Sequence, residues 1–71
     1  MTGGTMKDIN DFSYTITNWD NSVYETDDVE DARLAVRDGR EVLKTTRRLF
    51  RSGPALVRLY VTVKITKIKD L

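Results

Sequence analysis

The chain has 71 residues, with 12 basic and 11 acidic side chains, no histidine, no cysteine and a net charge of +1. A domain this short has room for only a small core, and without cysteine it has neither disulfides nor thiolate metal ligands to reinforce it. Lacking histidine and cysteine, it also lacks the commonest general base, the strongest thiol nucleophile and the best transition-metal ligands. The expectation is a non-enzyme with no catalytic residues, no metal and no cofactor. No apolar run approaches the roughly 20 residues that span a bilayer, and the polar start "MTGGTMKDINDF" does not resemble a signal peptide. A soluble protein of a reducing cytoplasm is expected, with no membrane partner.

The near-neutral net charge conceals a segregation. Residues 1 to 31 carry eight acidic side chains against Lys7 alone, whereas residues 32 to 71 carry eleven basic against three acidic. Charge divided between halves in this way suggests an interaction surface.

Residues 1–11, with Gly3, Gly4 and no apolar periodicity, read as a flexible tail, and 12–71 as one small domain. Alternation begins at Phe12, Tyr14 and Ile16, with Ser13, Thr15 and Thr17 on the other side, which is the pattern of a half-buried strand. "WDNS" supplies turn residues, and a short strand over about Val23 to Thr26 completes a hairpin. Trp19 in that turn either caps the core or stands exposed as an anchor.

A helix should start near Asp28, with Thr26 or Asp27 as N-cap and Asp27 with Glu30 at capping-box spacing. Val29, Ala32, Val36, Leu43 and Phe50, with Gly39 and Thr46 between them, keep spacings of three and four. Gly39 costs about 1 kcal/mol in a helix interior and could mark a break in "RDGRE". The unchanged apolar phase on both sides favours one long helix, ended by "SGP". The final segment "LVRLYVTVKITKI" is a strand with Val57, Leu59, Val61, Val63 and Ile65 on one face and Arg58, Tyr60, Thr62, Lys64 and Thr66 on the other. The expected fold is α+β, in the order ββαβ, with one long helix packed on one face of a three-stranded sheet. Part of the last strand is expected to lack a neighbour, an edge that a second copy or another partner would cover.

On such a helix Arg33, Arg37, Arg40, Lys44, Arg47 and Arg51 fall within roughly 80° of one another, a stripe about 27 Å long. Acidic residues at a helix start and basic ones at its end both suit the macrodipole, which accounts for Asp27, Asp28, Glu30, Asp31 and the last basic residues. It does not account for Arg33, Arg37 and Arg40. The stripe, with Arg58, is therefore either a structural cover for the sheet edge or a binding surface, and the acidic group Asp20, Glu25, Asp27, Asp28, Glu30 and Asp31 is the candidate surface of opposite sign. Tyr60 between Arg58 and Lys64 is an aromatic interleaved with basic residues, as single-strand binders use.

The stretch "VYETDDVEDARLAV", preceded by a strand and followed by a final basic strand, resembles the layout of the small phage-encoded host-takeover proteins typified by the T7-type inhibitor of bacterial RNA polymerase. The resemblance covers roughly Phe12 to Ile65 as an order of elements, with Arg58 falling where that inhibitor has basic residues on its last strand. It implies a small phage protein, acting in the host cytoplasm, that inhibits or modulates a host macromolecular machine such as RNA polymerase or a nucleic-acid-binding protein by charge-complementary docking. Direct nucleic-acid binding through the arginine stripe and self-association as a homodimer are the alternatives.

Overall fold

The computed structural model describes residues 9–71, and all but the last three residues of the expected tail lie outside that range. Its elements run β1 (Ile9–Thr17), β2 (Val23–Thr26), α1 (Val29–Arg37), β3 (Glu41–Ser52), β4 (Ala55–Ile65) and a closing 3-10 turn (Ile68–Asp70). The class is α+β, as the sequence indicates, but the order is ββαββ. The four strands form one antiparallel sheet in the order β2-β1-β3-β4. Residues 9 to 11, assigned above to the tail, already pair with β3, Ile9 lying opposite Leu49.

The long helix is overturned. Helix α1 starts where expected, with the Asp28 carboxylate accepting from the Glu30 N–H at 2.9 Å, so Asp28 rather than Thr26 or Asp27 is the N-cap. Thr26 instead accepts the Asp28 N–H on its hydroxyl. The helix then ends after nine residues in a Schellman motif. The Gly39 N–H donates to the Val36 carbonyl at 3.1 Å and the Arg40 N–H to the Ala35 carbonyl at 2.9 Å, while Gly39 takes the left-handed φ of 77° that this closure needs. Gly39 is therefore the break, and the chain beyond it is a strand. Val42, Thr45, Thr46 and Phe50 suit an extended chain, and β3 is hydrogen-bonded to β1 along one edge and β4 along the other. Tertiary pairing thus outweighs the helical spacing of Val36, Leu43 and Phe50.

"SGP" is correspondingly a hairpin turn between β3 and β4, not a helix end. Ser52 lies opposite Ala55 across the two-residue loop Gly53-Pro54. With φ of 60° at Gly53 and the proline ring holding φ near −65° at Pro54, only a type II′ turn fits.

The core is six buried side chains: Tyr14 and Ile16 from β1, Ala32 and Ala35 from α1, Val42 from β3 and Ile65 from β4. In α1 the two alanines let the helix approach the sheet closely. Tyr24, Val36 and Leu71 pack around this cluster. Burial pushes the Tyr14 phenol pKa up, and its hydroxyl donates to the Leu71 carbonyl at 2.9 Å, tying the C-terminal segment over the core. Lys44 donates to the same oxygen at 2.8 Å. The core therefore sits at one end of the described residues, which extend 49 Å by 23 Å by 19 Å. The rest of β3 and β4 is an arm reaching past the helix.

The φ at Gly39 makes a prediction about stability. A methyl group there would meet the Trp19 ring at 3.6 Å, an ordinary contact, so the cost of Gly39→Ala is that of the backbone alone. About 1–2 kcal/mol of destabilisation is expected. Gly39→Asn should cost less, because asparagine tolerates the left-handed region. Urea unfolding should show the difference as a lower midpoint with an unchanged slope.

Candidate functional site on the open face of the arm

The strand register decides which charges meet. Because side chains alternate along a strand, Lys44 and Arg48 share the helix side of the sheet, while Arg47 and Arg51 of β3 stand on the opposite, open face. On that open face Arg47 lies opposite Tyr60, Leu49 opposite Arg58, Arg51 opposite Leu56 and Leu43 opposite Lys64. Arg47, Arg51, Arg58, Lys64 and Tyr60 thus share one face of the β3–β4 hairpin. Thr45 and Thr62 are joined there through their hydroxyls at 3.0 Å. Tyr60 is 67% exposed, and beside it a groove of about 230 Å³ is lined by Ile9, Asp11, Arg47, Arg48, Leu49, Arg58 and Tyr60.

The stripe expected on a single helix does not form. Arg33 pairs with Glu30 at 3.5 Å along α1, and Arg37 is exposed in its last turn. Arg40 lies in the connection after the Schellman motif, where it reaches back to the β1–β2 turn. Its guanidinium donates to the Asn18 side-chain oxygen at 2.8 Å and to Asp38 at 3.1 Å. Only 16% of that side chain is exposed, so Arg40 holds the turn against the helix end. Lys44 lies over the Phe12 ring at 4.6 Å and the Tyr14 ring at 6.0 Å, and Arg48 over the Phe50 ring at 5.2 Å. The macrodipole explanation for the later basic residues falls with the helix that carried it. Arg47, Arg51 and Arg58 remain from the candidate basic set as open-face residues. Arg47 shares its charge with Asp11 at 3.0 Å, whereas Arg51, Arg58 and Lys64 form no ion pair among the described residues.

The acidic candidates lie around β2, at the sheet edge opposite β4, where Glu25 and Asp27 share a recess with Asp11 and Arg47. Asp28 is the helix cap and Asp31 accepts from the Thr26 hydroxyl at 3.1 Å. Glu25, Asp27 and Glu30 are exposed near them. Asp20 is in the β1–β2 turn, where its carboxylate accepts from the Ser22 hydroxyl at 2.6 Å and the Ser22 N–H at 3.0 Å. The same turn carries Asn21 at a left-handed φ of 69°. Trp19 does not cap the core and is exposed, with 72% of the residue open to solvent. Among the described residues no group of three or more acidic, histidine or cysteine side chains is placed to hold a metal ion, and no helix is long and apolar enough to cross a membrane.

Sequence reasoning missed Leu49 and the contribution of β3 to this face. The signal was there in part: Leu43, Thr45, Arg47, Leu49 and Arg51 alternate with Val42, Lys44, Thr46, Arg48 and Phe50, but both sets mix apolar and basic residues, so no clean two-residue period shows.

Comparison of the chain with protein families, with characterised proteins and with solved structures returns no match. The functional reading therefore stands on the geometry.

The turn at Asp20 gives a pH prediction. The hydroxyl and then the N–H of Ser22 favour the charged carboxylate and hold its pKa below the ordinary 3.8. A depressed carboxyl stabilises the fold above its unfolded-state pKa, and that contribution is lost as pH falls through the lower folded value. An NMR titration should place the Asp20 midpoint below 3.8, and Ser22→Ala should bring it back toward that value.

Proposed function

We propose that the protein is a non-enzymatic binding protein whose β3–β4 arm docks through its open face on a polyanion, and that a nucleic-acid strand is the polyanion this face fits. One observation carries the reading. From Val42 to Lys69 the chain has eight basic residues, Lys44, Arg47, Arg48, Arg51, Arg58, Lys64, Lys67 and Lys69, and no acidic one. Four of the eight share the open face with an exposed tyrosine. Arg58 and Lys64 are six residues apart on one strand, about 20 Å at strand rise. Arginine and lysine spaced along a sheet face can follow phosphates, while Tyr60 offers a ring for a base to stack on. The excess of basic charge along the arm also steers an oppositely charged partner over distances comparable to the Debye length, about 8 Å at physiological salt.

If the open face neutralises about four phosphates, log K should fall against log salt with a slope of about −3 for a single strand. Tyr60→Ala should cost about 1–3 kcal/mol, and Arg58→Glu combined with Lys64→Glu should remove most of the binding. Fluorescence anisotropy with a labelled oligonucleotide reads all three. No binding at low salt would sink the proposal.

A second reading uses the β2 edge of the sheet and draws on the resemblance to phage host-takeover proteins. Glu25, Asp27 and Glu30 are exposed together beside the helix start and form an acidic surface for a basic site on a host machine, such as RNA polymerase or a nucleic-acid-binding protein. In host lysate treated with nuclease, the tagged protein should then retain one predominant protein, released by Glu25→Lys with Asp27→Lys and kept by Arg58→Glu. Retention that disappears with the nuclease points back to nucleic acid.

A further inference from the structure

The edge of β4 offers a second surface, independent of the charge reading above. Strand β4 pairs with β3 from Ala55 to Ile65 without a slip, so it has no bulge, and it contains neither glycine nor proline. Its odd-numbered residues on the helix side are all apolar. Of the devices that blunt a free edge, β4 has no bulge, proline or inward-pointing charge, and its two charges, Arg58 and Lys64, both stand on the open face. The type II′ turn makes Ser52 and Ala55 a hydrogen-bonded pair. By alternation, the N–H and C=O groups of Leu56, Arg58, Tyr60, Thr62 and Lys64 point away from β3. Among the described residues they form an unpaired row along the outer edge of the sheet. On the helix side next to it, Leu59, Val61 and Val63 are exposed, Val61 at 57%.

We infer that the occupant of this edge is a second copy of the chain, paired β4 to β4 in antiparallel fashion about a two-fold axis at Tyr60. The strand reads compatibly in both directions about that residue. On the helix side the pairing sets Val57 opposite the second copy's Val63, Leu59 opposite its Val61 and Ala55 opposite its Ile65, so every pair is apolar. On the open face it sets Arg58 opposite Thr62, Leu56 opposite Lys64 and Tyr60 opposite itself, so no like charges face each other. A shift of the axis to Val61 would put Arg58 directly against Lys64 twice. A shift to Leu59 would shorten the overlap. About ten main-chain hydrogen bonds form in the favoured register, joining two four-stranded sheets into one.

The acidic residues around β2 lie at the sheet edge away from β4, so the direction of pairing is set by the register alone. The open faces of both copies end on one side, which doubles the basic surface and sets the two Tyr60 rings at its centre. Arg58 of one copy and Lys64 of the other are then diagonal neighbours in water. Salt screens that repulsion, so self-association should tighten as salt rises, opposite to the binding of a polyanion.

Sedimentation of the whole chain should show a species of twice 8.2 kDa at micromolar concentration. In the unmodified protein, hydrogen exchange at Leu56, Arg58, Tyr60, Thr62 and Lys64 should slow as concentration rises, while exchange in β1 stays unchanged. The chain has no cysteine of its own, so a single introduced one reports the register directly. Hydrogen-bonded partners sit about 5.5 Å apart at Cα, within the disulfide range of about 4.4–6.8 Å. Tyr60→Cys should oxidise to a covalent dimer. Arg58→Cys and Thr62→Cys should each give no covalent dimer alone under the same conditions and should cross-link when mixed. A monomer at about 100 µM with concentration-independent exchange along β4 would overturn the proposal, and so would a dimer in which those five amides exchange freely.

Discussion

The left-handed turn at Gly39 governs the whole of the chain beyond it. Two hydrogen bonds, from Gly39 to Val36 and from Arg40 to Ala35, close the helix and swing the backbone back along the sheet. Val42 then arrives opposite Ile16 on one side and Ile65 on the other, completing a row of three core residues across β1, β3 and β4. Arg40 locks the reversal from outside by bonding Asn18 in the β1–β2 turn, so the two chain reversals at this end of the molecule hold each other. With a side chain that disfavours positive φ at position 39, the helix end, the start of β3 and the placement of Val42 would all move together.

That dependence explains which parts of the fold were legible. Strands β1 and β4 show a clear two-residue alternation because each has a strongly apolar side, and the start of α1 is written in the cap and acidic turn at Asp28 to Asp31. Strand β3 has no such signature. Its apolar residues Val42, Leu43, Leu49 and Phe50 are adjacent in pairs seven apart, a spacing that also suits a helix. Hydrogen-bonded on both edges, β3 owes its conformation to its neighbours more than to its own pattern. The local clues were Gly39 in "RDGRE" and the Gly-Pro pair at 53 and 54, two breakers whose meaning depends on the segment between them.

The candidate site was legible to the same degree. Arg58, Tyr60 and Lys64 come from the alternation of β4 alone. Arg47 and Arg51 join them only because the hairpin register sets β3 against β4, and no reading that keeps residues 41 to 52 helical can place them there. The arginines that a dipole argument left unexplained separate once the chain folds: Arg33 pairs along the helix, Arg40 is structural, and Arg37 stays in solvent. An angular pattern on an assumed helix had joined residues that belong to three different elements.

The extent of the core gives the arm its character. Helix α1 is only nine residues, about 14 Å, whereas β3 and β4 run for about 35–40 Å, so the helix can cover only one end of them. Beyond it β1 still supports β3 as far as Leu49, and among the described residues the arm past that point is a two-stranded ribbon, a form marginally stable alone in water. Such a ribbon gains from any contact that pairs its edge or covers its apolar side. The period of two separates these needs from the charge, since along β4 the odd positions carry the apolar side and the even positions carry Arg58, Tyr60 and Lys64. One strand thereby presents an apolar surface and a basic one back to back, and substitutions at alternate positions act on one without touching the other.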